Sequence, residues 1–477
     1  MNLPPTVISI LQTLSSAGFE AYAVGGCVRD LLLKKQPKDW DVATSATPEE
    51  IQRVFPKNFY TNAFGTVTVL TDSSEKALQE IEVTTYRIES EYSDQRHPDQ
   101  VRFTSNLEED LARRDFTINA MAMNETAVID PFGGQQDLEQ KLIRAVGNPS
   151  ERFSEDALRL MRAVRLAAQL EFGIEPGTLQ AIKQYAESIS AVSHERVRDE
   201  LVKIIMSSRP ELGMNLLRET GLLAFILPEV QEGVGIDQNK HHIYTVFDHC
   251  IKSLQFAAQY DYALHVRLAA LFHDVGKPRT RRRQGGDYTF YAHDIVGARM
   301  TEKLMKRLRF SSEMTERVSH LVRHHMFYYD VGKVTEAGAR RLLRRVGQDN
   351  FDDLIKVRIA ERKGSGVPKA EPYRLRHLQF MVEKASKQPI TVGQLKISGK
   401  DLQQELSLTP GPIFGGILNA LLAEVLEDPA RNTKDYLLMR AQELKEKNPV
   451  ELKKLGAQAV EEEEKKREED IKRKYHV

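Results

Sequence analysis

The sequence predicts an α+β protein, in which a small sheet-containing head precedes a longer, all-helical remainder. Three short runs indicate strands because they are apolar or rich in β-branched residues: Tyr22 to Val24, Phe64 to Leu70 and Ile81 to Tyr86. Beyond the turn at Gly133-Gly134, apolar residues recur at helical spacing, as in the amphipathic segment Arg152 to Leu170. The strands therefore concentrate in the first part of the chain.

Composition limits the classes of protein to consider. With 477 residues and 41% apolar content, the chain can form several cores, in about three domains. Lysine plus arginine equals aspartate plus glutamate at 68 each, so any binding of nucleic acid must use local basic patches. Cys27 and Cys250 lie far apart, which argues against a disulfide scaffold or zinc ribbon and fits a reducing interior.

The start of the chain and the length of its apolar runs indicate where the protein is located. The first residues lack a basic leader with a long apolar core, and no later run is long enough to span a bilayer. We therefore predict a cytoplasmic protein with no membrane partner. No pattern in the sequence indicates an oligomeric state.

The first helix, Val7 to Ala17, leads into a strand that breaks at Gly25 and Gly26. These glycines have no Cβ atom, so the backbone there can approach a ligand closely. A polar helix start follows at Arg29, and the free N–H groups of a helix start attract anions. The turn is therefore suited to a phosphate group.

Two carboxylates follow this turn. Asp39 and Asp41 flank Trp40, and alternate residues of a strand project to the same face. Such a pair suits Mg²⁺, with substrate phosphates completing its coordination. Either feature alone could be an exposed turn after a Gly-Gly hairpin, but their ordered coupling predicts metal-dependent phosphoryl or nucleotidyl transfer.

Two later segments bear on the same site. Glu82 is an acidic residue among strand formers, so it is either a third metal-facing carboxylate or a glutamate on the solvent face. The segment Glu89 to Phe103 is polar and rich in turn formers, which predicts a loop beside the site.

The run Arg113-Arg114-Asp115 precedes an apolar helix start that contains Asn119. Its guanidinium groups could contact phosphates while its carboxylate contacts ribose hydroxyls. Salt-bridged arginines at a helix end are the structural alternative.

The helix predicted from Arg152 to Leu170 carries Asp156 and Arg159 three residues apart. A carboxylate that accepts and a guanidinium that donates could pair with the Watson–Crick edge of a base. The alternative is a surface salt bridge of little energetic value. The segment Ser193 to Leu201 begins another helix with a capping serine and many charges, and we predict a supporting role for it.

In this order, the motifs GGCVRD, DWDVAT, RRDFTINA, EDALR and HERVRDEL resemble the signature series of bacterial class II tRNA nucleotidyltransferases, the CCA-adding enzymes and their poly(A) polymerase relatives. The resemblance implies a polymerase-β-like head that binds Mg²⁺ through Asp39 and Asp41, followed by a helical neck, body and tail. It also implies template-independent addition of C, C and A to the 3′ end of tRNA from CTP and ATP. The RNA 3′-hydroxyl would attack the α-phosphate and pyrophosphate would leave.

The same resemblance implies nucleotide-binding roles for residues that match the family's motifs. These residues are Gly25, Gly26 and Arg29 near the triphosphate, Arg114, Asp115 and Asn119 at the ribose motif, and Asp156, Arg159 and Arg162 at the base-selecting motif. The alternatives are an A-adding or CC-adding enzyme or a poly(A) polymerase. An arginine-rich run is missing between Asp41 and Glu82, which disfavours the polymerase, and the full-length loop from Glu89 disfavours a CC-adding enzyme.

A second constellation lies in HHIYTVFDHCIKSL, HVRLAALFHDVGKP, FYAHD and LVRHHMF. Imidazoles with a carboxylate suit a transition metal. These motifs resemble an HD-superfamily phosphohydrolase domain, which implies a metal site with Ni²⁺ or Mn²⁺ as candidate ions. The implied ligands are His249, His273, Asp274, His293 and one of His324 and His325. Glu361 stands in place of the family's usual closing aspartate.

The implied substrates of this domain are 2′,3′-cyclic phosphates or phosphate ends on tRNA. One alternative is a set of histidines that only pack inside an inherited helical domain. A second is an HD phosphohydrolase whose head merely binds nucleotide or RNA.

These features predict five segments: a nucleotidyltransferase head (1–140), a helical neck and body with the base-recognition helix (141–235), the HD domain (236–365), a helical tail that contacts tRNA (366–445) and a charged end (446–477). The tail prediction rests on the GKDL and PGP elements after Leu395, which resemble those of class II enzymes. The charged end is predicted to be a lone exposed helix or disordered.

Two clusters of arginines flank the HD motifs. They either meet tRNA phosphates or lie on solvated faces, and they comprise Arg279 with Arg281 to Arg283, and Arg340, Arg341, Arg344 and Arg345.

Overall fold

A computed structural model describes residues 3–62, 65–90, 100–238, 243–285, 287–327, 329–331, 335–366, 373–386 and 391–477. The chain divides into two compact units, one formed by Met1–Met326 with Asp352–Pro368 and the other by Phe327–Phe351 with Lys369–Val477. All of the strands in the described ranges belong to the first unit, whereas the second is helical. The predicted α+β class is confirmed.

The strands in the described ranges are β1 (Ala21–Val24), β2 (Asp41–Thr44), β3 (Asn58–Asn62), β4 (Thr66–Leu70), β5 (Glu80–Thr85), β6 (Arg87–Ser90), β7 (Gln100–Phe103), β8 (Ala122–Met123), β9 (Val128–Ile129), β10 (Leu142–Ile143), β11 (Gly173–Ile174), β12 (Arg282–Gln284) and β13 (Asp287–Thr289).

The helices up to the end of the HD motifs are α1 (Pro5–Ser16), α2 (Gly26–Leu32), α3 (Pro48–Val54), α4 (Lys76–Gln79), α5 (Leu107–Ala112), α6 (Gly134–Gln140), α7 (Pro149–Glu155), α8 (Leu158–Leu170), α9 (Pro176–Tyr185), α10 (His194–Ile205), α11 (Pro210–Glu219), α12 (Leu222–Ile226), α13 (Pro228–Gln231), α14 (Val246–Gln259), α15 (Leu264–Phe272), α16 (Lys277–Thr280), α17 (His293–Arg307) and α18 (Ser312–His324). The later helices are α19 (Glu336–Val346), α20 (Gln348–Gly364), α21 (Tyr373–Ser386), α22 (Gly399–Leu406), α23 (Pro412–Glu427), α24 (Lys434–Leu444) and α25 (Pro449–Tyr475).

A seven-stranded mixed sheet forms the centre of the head, in the order β3-β4-β5-β2-β1-β8-β9. Strands β2 and β5 are parallel and in register, with Asp41 opposite Glu82, and the other pairs of this sheet are antiparallel. Since paired residues of neighbouring strands project to the same face, the sheet brings two acidic positions together that are far apart in sequence.

Two predictions about local structure are wrong. Strands β6 and β7 form an antiparallel pair that runs from Arg87 opposite Phe103 to Ser90 opposite Gln100, so both ends of the predicted loop are strands. The middle of that loop, residues 91–99, lies outside the described residues. Asp39 precedes strand β2 instead of belonging to it, so alternation along a strand does not place it beside Asp41.

The amphipathic segment from Arg152 to Leu170 is two helices instead of one. Helix α7 ends at Glu155, α8 begins at Leu158, and Asp156 between them has extended backbone angles (φ −138°, ψ 106°). The side chain of Asp156 accepts a hydrogen bond from the backbone N–H of Leu158, which starts the second helix. Asp156 therefore lies at a corner of the chain.

Asp353 on α20 connects this helix to α15 and α18 in the first unit. Its buried carboxylate lies 2.7 Å from His265 Nε2 on α15 and accepts hydrogen bonds from Arg317 on α18 at 2.7 Å and Lys356 at 2.9 Å. Burial alone would raise the pKa of Asp353, but these three partners hold it well below its usual range.

Replacing this carboxylate should destabilise the fold. We expect Asp353→Asn to lower the free energy of unfolding at pH 7 by roughly 2 kcal/mol, because Arg317 and Lys356 are partly exposed and water compensates in part. A group with a lowered folded-state pKa contributes stability above its unfolded pKa of about 3.9 and loses that stability as the pH falls. Urea unfolding should therefore show a difference from the unmodified chain that shrinks below about pH 4.

The neighbouring Asp352 provides the matched control. Its side chain is exposed, so Asp352→Asn should change the unfolding free energy by less than about 0.5 kcal/mol. Equal effects of the two variants would contradict the role given to Asp353.

The charged C-terminal segment was predicted to be either a lone exposed helix or disordered. It is helical, but the helix is not isolated. Helix α25 packs along α23 and also contacts α21. Its buried positions are Leu452, Gly456 and Ile471, which are too few to stand out in a segment rich in glutamate and lysine. The helix is therefore part of the core of the second unit.

Gly456 allows the close approach of these two helices. A Cβ atom at this position would lie 2.4 Å from the backbone oxygen of Asn419 on α23. We expect Gly456→Ala to lower the unfolding free energy by roughly 1–3 kcal/mol, since the backbones must separate. Gly415, on α23, has no atom near its would-be Cβ, so Gly415→Ala should be neutral or stabilising in thermal melting. The same loss in both variants would mean that close approach is not the cause.

None of the helices in the described ranges combines the length and the apolarity needed to cross a membrane.

Candidate active site

The acidic site of the head lies at the start of strand β2. Asp41 is partly buried and Glu82, directly opposite on β5, is exposed. Burial raises the pKa of Asp41 to about 6, with Arg114 opposing this effect and the charges of Asp39 and Glu82 adding to it. The charges of two further carboxylates thus act on Asp41 near the start of β2, and the three together are an oxygen-donor set that suits a hard divalent cation.

Gly25 brings the backbone of the turn close to these groups. It adopts φ +80°, a left-handed conformation that favours glycine. A Cβ atom here would lie 2.8 Å from Nη1 of Arg114 and 3.9 Å from Oδ2 of Asp41. At Gly26, the nearest atom to such a Cβ would be Nη2 of Arg29, at 3.6 Å. The turn, the acidic site and both arginines therefore border the same space.

Asp110, which sequence analysis missed, holds the Arg113-Arg114 run. Its buried carboxylate accepts a hydrogen bond from Arg113 at 2.8 Å and one from Arg114 at 3.4 Å. Burial alone would raise the pKa of Asp110, but the two arginines lower it. The signal was present in the sequence, because Asp110 lies three and four residues before the arginines on the same helical turn.

A hydrogen-bonded chain of side chains links Arg29, beside the Gly25 turn, to Asp115 and Arg162. Arg29 donates to Oδ1 of Asn119 at 2.8 Å, Asn119 donates to Asp115 at 3.2 Å, and Arg162 donates to the other oxygen of Asp115 at 2.7 Å. Burial would raise the pKa of Asp115, but Arg162, Asn119 and Arg159 lower it to about 2. Asp115 is therefore ionised at neutral pH, so both of its oxygens act as hydrogen-bond acceptors.

Asp156 and Arg159 do not pair with each other. Asp156 accepts a hydrogen bond from Arg196 on α10 at 2.8 Å. Arg159 contacts Glu155 at 2.5 Å and donates to the backbone oxygens of Arg152 and Arg113, both at 3.1 Å. The proposed surface salt bridge between Asp156 and Arg159 is therefore wrong, because each residue has its own partner.

Glu155 and Arg196 are thus residues that sequence analysis did not select. Glu155 could have been found, because it lies four residues before Arg159. Arg196 belongs to the charged helix that we predicted to be supporting, but its pairing with Asp156 spans 40 residues and no local pattern predicts it.

A second site lies among α14, α15, α17 and α18, where four histidines surround Asp274. One carboxylate oxygen of Asp274 lies 3.4 Å from Nε2 of His249 and 3.3 Å from Nε2 of His273. The other oxygen lies 3.4 Å from Nε2 of His293 and 3.7 Å from Nε2 of His325. Two groups of three donors therefore share one carboxylate, and each could hold a metal ion.

Three of the four histidines are oriented by the backbone. Nδ1 of His273, His293 and His325 lies 2.7–2.8 Å from the carbonyl oxygens of Ala270, Phe290 and Val322, respectively. Since a carbonyl only accepts, each Nδ1 donates a proton to it, and the Nε2 atom of each ring is turned towards Asp274. This is the arrangement of imidazoles that bind a metal through Nε2.

The charges of the second site differ from one histidine to the next. Burial would lower the pKa of His273, but the neighbouring Asp274 raises it. Burial and the neighbouring His273 lower the pKa of His249 to about 3, and burial likewise lowers that of His325 to about 4, so both are neutral at pH 7. Burial would raise the pKa of Asp274, but Lys277 and the histidines keep it well below its usual value. Lys277, which sequence analysis missed, donates to Asp274 at 2.6 Å.

Two of the predicted ligands are not part of these groups. The ring of His324 packs edge-on against that of His320, with 4.5 Å between the ring centroids. Of the adjacent residues His324 and His325, it is therefore His325 that belongs to the cluster. Glu361 lies partly buried beside the cluster, but both of its oxygens accept hydrogen bonds from Arg358, at 2.6 and 2.7 Å. Burial would raise the pKa of Glu361, whereas Arg358 and the histidines lower it to about 2.

The two arginine clusters differ in how many of their members have acidic partners. Arg279 pairs with Glu232 at 2.6 Å, so an acidic partner already neutralises it, and contact with phosphates stays a prediction. In the described structure, no ion pair involves the exposed residues Arg282, Arg283, Arg341, Arg344 and Arg345.

Comparison with protein families gives three matches along the chain. Residues 21–144 match the family model of the poly A polymerase head domain. Residues 171–233 match the model described as a probable RNA and SrmB-binding site of polymerase A, and residues 246–361 match the HD domain.

Relatives match over almost the whole chain. The CCA-adding enzyme of Enterococcus faecalis is 34% identical over 452 residues, which are 92% of this chain and 95% of the relative. That of Ligilactobacillus salivarius is 34% identical over 446 residues, 92% and 96% of the two chains. A crystal structure of the Bacillus stearothermophilus CCA-adding enzyme in complex with CTP matches with a TM-score of 0.60 and 30% identity, over 92% of this chain and 99% of that one.

Proposed function

Because this chain belongs to the family of bacterial class II CCA-adding enzymes, we propose that it adds C, C and A to the 3′ end of tRNA from CTP and ATP. The observation that carries this proposal is the set of three carboxylates, of Asp41, Glu82 and Asp39, beside the Gly25 turn. This family uses divalent metal, and these oxygen donors suit Mg²⁺. We expect the reaction to take place in the cytoplasm.

Different residues of the head would bind the metal, the triphosphate and the ribose. Asp39 and Asp41 would hold Mg²⁺, with Glu82 as a third carboxylate, and the bound ions would activate the RNA 3′-hydroxyl and stabilise charge on the leaving pyrophosphate. Arg29 and Arg114 border the turn where the triphosphate would lie, and Asp115 would accept hydrogen bonds from the ribose hydroxyls. Positioning and electrostatic stabilisation are then the main contributions of the chain itself.

Selection between CTP and ATP would be made by Asp156 and Arg159. A carboxylate accepts from an exocyclic amino group and a guanidinium donates to ring nitrogens or a carbonyl, so the pair can match either base. The exposed arginines of α19 would contact tRNA phosphates without reading sequence.

The test is nucleotide addition to tRNA that ends at the discriminator base, at C or at CC, with CTP and ATP supplied separately. We expect two C residues from CTP alone and one A on the tRNA that ends in CC. Addition of a single A and nothing else would indicate an A-adding enzyme, a product that stops at CC would indicate a CC-adding enzyme, and a long A tail would indicate a poly(A) polymerase.

A second activity is supported by the two donor groups around Asp274. We propose that they hold a transition metal such as Ni²⁺ or Mn²⁺ and that the HD domain hydrolyses 2′,3′-cyclic phosphates or terminal phosphates of RNA. A bound metal would supply an activated water molecule at neutral pH. Three of the histidines have their Nε2 atoms turned towards Asp274 by backbone hydrogen bonds, and Lys277 places a positive charge beside it.

The HD activity is tested with 2′,3′-cyclic AMP and with 3′-phosphorylated RNA, in the presence of Ni²⁺, Mn²⁺ or Mg²⁺. Release of phosphate or ring opening that depends on the added metal would support the proposal. Absence of hydrolysis with every metal would leave the histidines with a packing role.

A further inference from the structure

A short hairpin lies directly before the metal-ligand candidate His293 and has no assigned role. We propose that this hairpin, β12–β13, together with Tyr291, binds single-stranded RNA, so that the HD site acts on the end of an RNA chain in preference to a free mononucleotide. This inference rests on the HD activity proposed above, and it adds the substrate class.

The hairpin and the residue before it carry three arginines and one acidic residue, Asp287, so they have an excess of positive charge. Arg282 and Arg283 on β12 are exposed, and no described acidic side chain forms an ion pair with either. The guanidinium of Arg281 lies over the ring of Tyr288, 3.6 Å from its centroid. Such stacking fixes the guanidinium plane and leaves its edge to donate to an anion. Arg279 nearby is different, because Glu232 neutralises it.

Tyr291 adds an aromatic surface to these charges. Its side chain is 74% exposed, although an aromatic ring gains by burial. Exposed aromatic rings beside cationic groups are the means by which proteins bind single-stranded nucleic acid, with the ring stacked on a base and the cations on phosphates. A free mononucleotide offers fewer phosphates to so many cations.

The surface is joined directly to the metal-ligand cluster. Tyr291 precedes His293 by two residues, so their Cα atoms are at most about 7 Å apart. Between them Ala292 adopts φ +60°, an uncommon conformation for a residue with a side chain. Nδ1 of His293 lies 2.7 Å from the carbonyl oxygen of Phe290, and the ammonium of Lys277 lies 5.7 Å from the centroid of the Phe290 ring. A base on Tyr291 would therefore bring a neighbouring phosphate towards His293 and Lys277.

Fluorescence can report binding at this surface alone. Trp40 is the one tryptophan of the chain and is buried, so Tyr291→Trp introduces an exposed reporter. We expect a six-nucleotide RNA with a 3′-phosphate to quench it in a saturable and salt-dependent manner. Adding Arg282→Ala and Arg283→Ala should weaken the apparent affinity about tenfold and lower the slope of log affinity against log salt by about 1.4.

The matched control removes two charges from the same domain. Arg299 and Lys303 on α17 are exposed and form no ion pair in the described structure, so adding Arg299→Ala and Lys303→Ala to the Tyr291→Trp reporter should leave its RNA affinity unchanged. Absence of quenching, or equal weakening by the control, would overturn the proposal. Quenching by AMP at the same concentration would also overturn it, because a mononucleotide would then suffice.

Hydrolysis separates this proposal from the one on which it rests. With the added metal, the Arg282→Ala and Arg283→Ala double variant should lose about tenfold in kcat/KM on 3′-phosphorylated RNA and keep its rate on 2′,3′-cyclic AMP. Equal loss on both substrates would contradict a role in RNA recognition. If the unmodified protein hydrolyses neither, the HD activity fails, while the fluorescence experiment still decides whether the hairpin binds RNA.

Discussion

Asp41→Asn should abolish nucleotide addition while leaving the fold intact. Loss of one carboxylate from the metal-binding group removes several kcal/mol of charge stabilisation, which corresponds to roughly a thousandfold in rate or more. The measurement is incorporation of labelled CTP into tRNA that ends at the discriminator base, at saturating Mg²⁺.

Stability gives an independent readout for the same variant. Burial raises the pKa of Asp41 to about 6, so at pH 7 the folded chain carries a carboxylate whose ionised form is disfavoured. A raised folded-state pKa means that stability falls as the pH rises through the interval between the unfolded value of about 3.9 and about 6. Without added metal, Asp41→Asn should therefore melt at the same temperature or higher.

The control for Asp41 is an exposed carboxylate of the same unit. Asp72 lies on the surface, and its one ion-pair partner among the described residues is the exposed Lys57, so Asp72→Asn should keep the rate of CTP incorporation within about twofold. Addition by Asp41→Asn within tenfold of the unmodified rate would refute the metal assignment. A lowered melting temperature would show that the loss of activity has a structural cause.

Asp274→Asn should empty both metal positions of the HD site at once, since one carboxylate serves both donor groups. We expect the bound transition metal to fall from about two ions per chain towards none, and hydrolysis to fall roughly a thousandfold. CCA addition by the head should continue at the normal rate. Metal content is measured by elemental analysis after dialysis, and both activities are assayed on the same preparation.

The adjacent histidines His324 and His325 form a matched pair for this experiment. His325→Ala should remove the second metal position, whereas His324→Ala should retain metal and hydrolysis because His324 stacks on His320 outside both groups. If His324→Ala loses metal and His325→Ala does not, the assignment of the second position is wrong.

The sequence predicted the class of fold correctly, and it singled out candidate site residues where the signals were ordered along the chain. The coupling of the Gly-Gly turn with Asp39 and Asp41 led to the acidic site, and the strand pattern around Glu82 left two orientations open. The register of β2 with β5 places Glu82 opposite Asp41. Its role as a metal ligand stays a prediction.

Other features depend on contacts between distant parts of the chain. The apolar repeat continues through Asp156, so periodicity alone predicts one helix where an extended residue, bonded to Arg196, separates two. Likewise, Leu452 and Ile471 are sparse in the last segment, because α25 packs through a glycine and not through a continuous apolar stripe. Local patterns do not report such partners.

The separate partners of Asp156 and Arg159 have a consequence for the selection of nucleotides. In the role proposed for them, a base must take the place of Arg196 on one side and of Glu155 on the other, so recognition is an exchange of hydrogen bonds. The net gain is then only the difference between old and new bonds, on the order of 1 kcal/mol for each. We therefore expect weak binding of free CTP and ATP. A base that displaces Arg196 or Glu155 without forming a hydrogen bond in its place should bind much more weakly still.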